Sequence, residues 1–171
     1  MIELILGGAR SGKSRHAEQQ ALASGLPVTC IVTAEALDAE MAERIANHQR
    51  QRPAGWQLVE EPRQLAAVLQ QQAAAQRCLL VDCLTLWLSN LLDDPAQWQQ
   101  QRQALLQVLP QLPGRILLVS NETGLGVVPM GQLTREFVDQ AGWLHQQLAQ
   151  ISQRVTFCVA GLPMILKDSH D

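Results

Sequence analysis

The chain has 171 residues, 47% of them hydrophobic and 17% charged, with a net charge of −3. That length supports one well-filled core, so a single domain over residues 1–171 is expected. The acidic balance, without basic runs, argues against a nucleic-acid partner. No leader-like start and no apolar segment near the ~20 residues that span a bilayer point to a cytoplasmic protein without membrane insertion.

In chain order, the apolar run 2–6 reads as a strand and leads into Gly7, Gly8, Ala9, Arg10, Ser11, Gly12, Lys13 and Ser14. This stretch fits G-x-x-x-x-G-K-[ST] at every fixed position, and a helical segment follows at 14–23. In such a loop the glycines let successive N–H groups face phosphate oxygens, and the start of the helix adds the positive end of its dipole. Lys13 is placed to reach the β- and γ-phosphates and Ser14 to offer its hydroxyl to Mg²⁺, so a magnesium nucleoside triphosphate is the expected ligand. Further strands are expected at 28–33, 78–83, 115–120 and 155–160. Helices are expected at 38–51, 63–75, 85–92, 96–109 and 132–153. This alternation predicts an α/β, P-loop NTPase fold with a mainly parallel sheet flanked by helices. Residues 56–59 read as an added strand of open direction, and the Gln-rich pieces at 70–72 and 99–101 as solvated helix faces. Trp87, Trp98 and Trp143 fit helix-face core or subunit-contact positions. The end of the chain, 167–171, reads as a frayed terminus.

Cys30, Cys78, Cys83 and Cys158 all fall within apolar runs, which predicts buried, reduced thiols, and the four histidines lack metal-ligand spacing. Asp82 ends an apolar strand, the position from which a P-loop protein supplies its second magnesium anchor. His48 lies near the end of the expected helix 38–51, among Arg44, Arg50 and Arg52. On composition alone this is a solvated helix end; a neutral imidazole there permits attack on phosphorus without demanding it. The segment 120–129, with two glycines, polar side chains and a proline, follows a strand and reads equally as a plain connection or as a loop over substrate. No Asn-Lys-x-Asp sequence occurs, which argues against a Ras-type switch.

Taken in order, the phosphate loop continued by Arg15-His16-Ala17-Glu18, the segment Arg44…His48…Arg52-Pro53…Trp56, the strand ending at Asp82 and the run Asn121-Glu122-Thr123-Gly124-Leu125-Gly126 resemble one family. It is the bifunctional adenosylcobinamide kinase/adenosylcobinamide-phosphate guanylyltransferase of cobalamin biosynthesis. The resemblance implies a RecA-like sheet and a homotrimer. It also implies phosphorylation of adenosylcobinamide, with ATP or GTP as donor, followed by GMP transfer from GTP to adenosylcobinamide phosphate through a guanylylated histidine. That histidine falls on His48, and Asn47 stands where some relatives have a second one. The resemblance further implies nucleotide contacts at Thr33, Ala34, Glu35, Gln49, Arg50, Gln51, Arg52, Glu60 and Asp82. Two other readings are a P-loop kinase for another small alcohol, without a covalent nucleotide, and a RecA-like ATP-binding assembly module.

Overall fold

The computed structural model of the protein describes residues 1–35, 53 and 55–169. The expected helix 38–51, with His48, Gln49, Arg50, Gln51 and Arg52, lies outside the described residues. The strands are β1 (Ile2–Gly7), β2 (Val28–Val32), β3 (Gln57–Glu60), β4 (Cys78–Asp82), β5 (Arg115–Asn121), β6 (Arg154–Val159) and β7 (Leu162–Asp168). The described helices are α1 (Lys13–Ala23), α2 (Leu65–Gln72), α3 (Leu84–Leu91), α4 (Pro95–Val108) and α5 (Gln132–Ile151). Most expected boundaries hold within two or three residues. Cys83, expected in a strand, instead follows β4 and caps α3 in extended conformation.

The seven strands form one sheet in the order β3-β2-β4-β5-β1-β6-β7. All neighbours run parallel except β6 and β7, which are antiparallel. β1, β2, β4 and β5 read as nearly unbroken apolar runs because helices bury both of their faces. On one face, Leu4, Leu6, Ile31, Val81 and Leu118 pack against α2, α3, α4 and α5. On the other, Ile5, Cys30, Leu80 and Val119 meet Ala17 and Ala21 of α1. Small residues on α1 let that helix lie close to the sheet, which brings its N-terminus over the end of β1.

β5 lies between the phosphate-loop strand β1 and the Asp82 strand β4, the RecA-like arrangement of a P-loop NTPase. The open direction of the 56–59 strand is settled as parallel: β3 pairs with β2, with Glu60 beside Val32. Trp87 and Trp98 are core residues in edge-to-face contact, with ring centroids 5.1 Å apart, whereas Trp143 is about half exposed. Gln70, Gln71, Gln99 and Gln100 are exposed, as their solvated faces require. All four cysteines are buried and free.

The reading of 167–171 as a frayed end is corrected for 167–169, and residues 170–171 lie outside the described residues. Lys167 and Asp168 belong to β7, Lys167 donates to the carbonyls of Ala149 and Gln150 at 2.9 and 3.1 Å, and Arg154 lies 3.6 Å from Asp168. Backbone pairing with β6 and these side-chain contacts hold a segment whose own side chains are largely exposed.

Candidate active site

The parallel strands end at one edge, and the residues singled out from the sequence gather there. The phosphate loop leaves β1, Thr33-Ala34-Glu35 leave β2, Glu60 ends β3, Asp82 ends β4, and Asn121 ends β5 with Glu122 directly after it. Such an edge is where open α/β sheets bind ligands.

The loop itself is built for close approach of a ligand. Gly12 caps α1 with φ +92°, and a Cβ at that position would lie 2.9 Å from Cα of Gly161 in the β6–β7 turn. Ser11 accepts a backbone hydrogen bond from Gly161 at 2.9 Å, so the loop rests on the hairpin turn. A Cβ on Gly8 would meet nothing within 4 Å, leaving that side of the loop open. Lys13 is buried and folds back to donate from Nζ to the Gly8 carbonyl at 3.2 Å. Ser11 Oγ is buried without a hydrogen-bond partner, an orphaned polar atom within the phosphate cradle.

Register places Asp82 beside Val119, and Val119 beside Ile5, so Asp82 shares the sheet face of the loop and α1. Asp82 and Ser14 are half-buried and supply a carboxylate and an alcohol oxygen. That hard donor pair fits Mg²⁺, which keeps several waters and completes its shell with phosphate oxygens. Among the described residues no group of three or more His, Cys, Asp or Glu side chains gathers to hold a metal by itself.

Thr33 is fully buried, and its hydroxyl is engaged by Cys83. Asn90 of α3 donates to the carbonyls of Thr33 and Pro62 at 2.7 and 3.0 Å, joining the ends of β2 and β3 beneath the edge. Glu35 lies 3.8 Å from Arg63. Burial pushes the Cys83 thiol up, with Asp82 adding to it, and pushes Cys158 up against the opposing Lys13. Both shifts disfavour the thiolate form beside the site.

Sequence reasoning missed a cluster under the start of the 122–131 loop. His145 on α5 is buried; its Nε2 lies 2.8 Å from Ser120 Oγ and its Nδ1 3.7 Å from Glu122 Oε2. Ser120 Oγ lies 3.4 Å from Thr85 Oγ1, which accepts from the Asn121 N–H at 2.7 Å. Burial lowers the His145 pKa from its usual value, while Glu122 opposes that shift. The available signal was a histidine on the buried stripe of Ala141, Leu144 and Leu148.

Comparison with known proteins agrees with this geometry. Residues 3–166 match the family model described as cobinamide kinase / cobinamide phosphate guanyltransferase. A protein of Pseudomonas aeruginosa named bifunctional adenosylcobalamin biosynthesis protein CobP is 64% identical over 169 residues, covering 98% of each chain. The Salmonella typhimurium bifunctional adenosylcobalamin biosynthesis protein CobU is 38% identical, covering 98% of this chain and all of its own. A solved structure from Pyrococcus horikoshii OT3 shares the fold with a TM-score of 0.56 at 10% identity, covering 99% of this chain and 87% of its own. With the phosphate loop, the Asp82 strand and the Asn121-Glu122 segment on one sheet edge, and that family pattern spanning nearly the whole chain, the protein belongs to the cobinamide kinase / cobinamide phosphate guanyltransferase family.

Proposed function

We propose that this chain is a cytoplasmic, bifunctional enzyme of cobalamin biosynthesis. It phosphorylates adenosylcobinamide with ATP or GTP and then transfers GMP from GTP to adenosylcobinamide phosphate, giving adenosylcobinamide-GDP and pyrophosphate. The observation that carries this reading is the full-length family match on a chain whose phosphate loop, Ser14 and Asp82 face one ligand edge.

The backbone N–H groups of 8–14 and the Lys13 ammonium bind the triphosphate, and Ser11 Oγ has a free capacity to join them. Ser14 and Asp82 would hold Mg²⁺, which when bound neutralises charge on the phosphate oxygens. Ala34, Glu35 and Glu60 border the nucleotide at the ends of β2 and β3, with buried Thr33 fixing the end of β2, and Gln49, Arg50, Gln51 and Arg52 flank the nucleophile. In guanylyl transfer a neutral His48 nitrogen forms a bond to the α-phosphorus. The bond to the bridging oxygen breaks, and its electron pair leaves with pyrophosphate. An oxygen of adenosylcobinamide phosphate then displaces the imidazole. Division into two displacements lets pyrophosphate depart before the bulky corrinoid phosphate enters the same space. One catalytic domain carries both reactions. Assembly as a homotrimer is supported by the exposed apolar side chains of β7, Leu162, Met164, Ile165 and Leu166.

The test is incubation with Mg²⁺ and GTP labelled at the α- or γ-phosphate, followed by denaturation. Acid-labile α-label that disappears in His48→Ala, with kinase activity retained, is expected. Absence of α-label under conditions where GTP binds would leave a plain kinase.

A further inference from the structure

Phosphorylation of an alcohol releases a proton that guanylyl transfer to a phosphate does not, so the kinase step has a use for a base that the second step lacks. Glu122 follows β5 directly beside the start of the phosphate loop. Its backbone N–H donates to the carbonyl of Gly7, the first residue of the phosphate loop, at 3.0 Å. The Lys13 ammonium, which marks the phosphate side of the loop, is bonded to the next carbonyl, that of Gly8. The Glu122 side chain is 20% exposed, shielded yet within reach of a substrate entering over the edge.

The groups behind Glu122 form a line in which each can donate to the next. The Asn121 N–H can only donate, and it gives its hydrogen to Thr85 Oγ1. The Thr85 hydroxyl can then donate to Ser120, and the Ser120 hydroxyl to His145 Nε2. With Nε2 accepting, the neutral imidazole carries its hydrogen on Nδ1, which faces Glu122 Oε2. Burial of His145 favours that neutral form. The other carboxylate oxygen accepts from the Gly124 N–H at 2.5 Å. Glu122 is therefore oriented by its own loop on one side and by α5 on the other.

We infer that Glu122 is the general base of the kinase step, taking the proton of the cobinamide hydroxyl, and that His145 is the positioning residue that aims it. As the alcohol oxygen forms its bond to the γ-phosphorus, the bond to the departing nucleoside diphosphate breaks and the hydroxyl proton passes to the Glu122 carboxylate. Solvent then receives that proton at the exposed side of the loop. The inference rests on the two-reaction reading above, and it assigns Glu122 to one reaction alone.

The discriminating variant is Glu122→Gln, which preserves size and an oxygen for the Gly124 N–H but removes the base. Single-turnover assays with adenosylcobinamide plus ATP are compared with assays of GMP transfer to adenosylcobinamide phosphate supplied ready made. Phosphorylation is expected to slow by about 10²- to 10⁴-fold at saturating substrate, with the KM for ATP and the rate of GMP transfer within about threefold of wild type. Glu122→Asp should restore part of the phosphorylation rate. His145→Asn should lower the rate constant of phosphorylation without raising the KM for ATP, which a merely structural loss would not do selectively. Unchanged phosphorylation in Glu122→Gln, or equal loss of both reactions in a folded protein, overturns the assignment. Wild-type protein that fails to phosphorylate adenosylcobinamide at all would instead refute the underlying two-reaction reading, and the assignment with it.

Discussion

Thr33 and Cys83 exchange hydrogen bonds across the ends of two neighbouring strands. The Thr33 hydroxyl donates to the Cys83 carbonyl at 2.6 Å and accepts from the Cys83 N–H at 3.1 Å, while the Thr33 N–H reaches the Asp82 carbonyl at 3.3 Å. One buried residue thus fixes the backbone that follows Asp82. Thr33→Val keeps the shape but leaves the Cys83 N–H and carbonyl without this partner. A loss of about 1–3 kcal/mol is expected in urea unfolding. Thr33→Ser, which keeps the hydroxyl, should recover most of it.

Lys13→Ala should abolish both phosphorylation and GMP transfer, each by at least about 10²-fold, because it removes a fixed charge from the phosphate site. Among the described residues Nζ bonds to the Gly8 carbonyl of its own loop, so little folding stability is at stake. Rates of both reactions, nucleotide affinity and the unfolding midpoint, measured on one preparation, separate these effects. A folded variant that keeps either reaction would contradict the shared loop.

Gly12→Ala tests the contact between the phosphate loop and the hairpin turn. Positive φ alone costs an alanine roughly 1–2 kcal/mol, and here the new Cβ would also crowd the Gly161 backbone. Gly25→Ala is the matched control, since Gly25 has φ +67° and open space around its missing Cβ. Gly12→Ala should lose more stability than Gly25→Ala and should alone weaken ATP binding, read by calorimetric titration. Equal effects at the two positions would remove the hairpin from the account.

His145 gives folding a pH dependence whose sign follows from its burial. Its folded pKa lies below the ordinary 6.5, so below that pH the unfolded chain binds a proton the folded chain resists. Its effect on stability is nil above about pH 6.5. Stability then falls with pH by up to ~1.4 kcal/mol per unit, until the folded pKa is reached. Denaturant unfolding at pH 7.5 and 5.5 should show a smaller acid loss in His145→Asn than in wild type. An identical acid loss would place the dependence on groups other than His145.

What the sequence disclosed follows the range of each interaction. The phosphate loop is a local object: its spacing, the strand before it and the helix after it all lie within two dozen residues. β1, β2, β4 and β5 were legible because burial on both faces leaves an apolar run with little else in it. Their order was not, since parallel neighbours are joined by crossovers and nothing local in β5 says that it separates β1 from β4. β7 was missed because its side chains face solvent and its stability comes from backbone pairing and from Lys167 and Arg154. The Glu122–His145–Ser120 line was invisible for a related reason: it is assembled from a loop, α5 and β5, with Thr85 added from α3. The segment carrying His48 rests on family resemblance, and the structure describes nothing there.

The bond from Gly161 to Ser11 carries a consequence for the order of events during synthesis. The phosphate loop leaves the ribosome roughly 150 residues ahead of the β6–β7 turn that supports it. A nascent chain already displays the entire Gly7–Ser14 sequence while lacking the backbone donor that braces it. Nucleotide capture should therefore begin only once residue 161 has emerged and β6 has joined β1, which makes ligand binding a late signal of a finished fold.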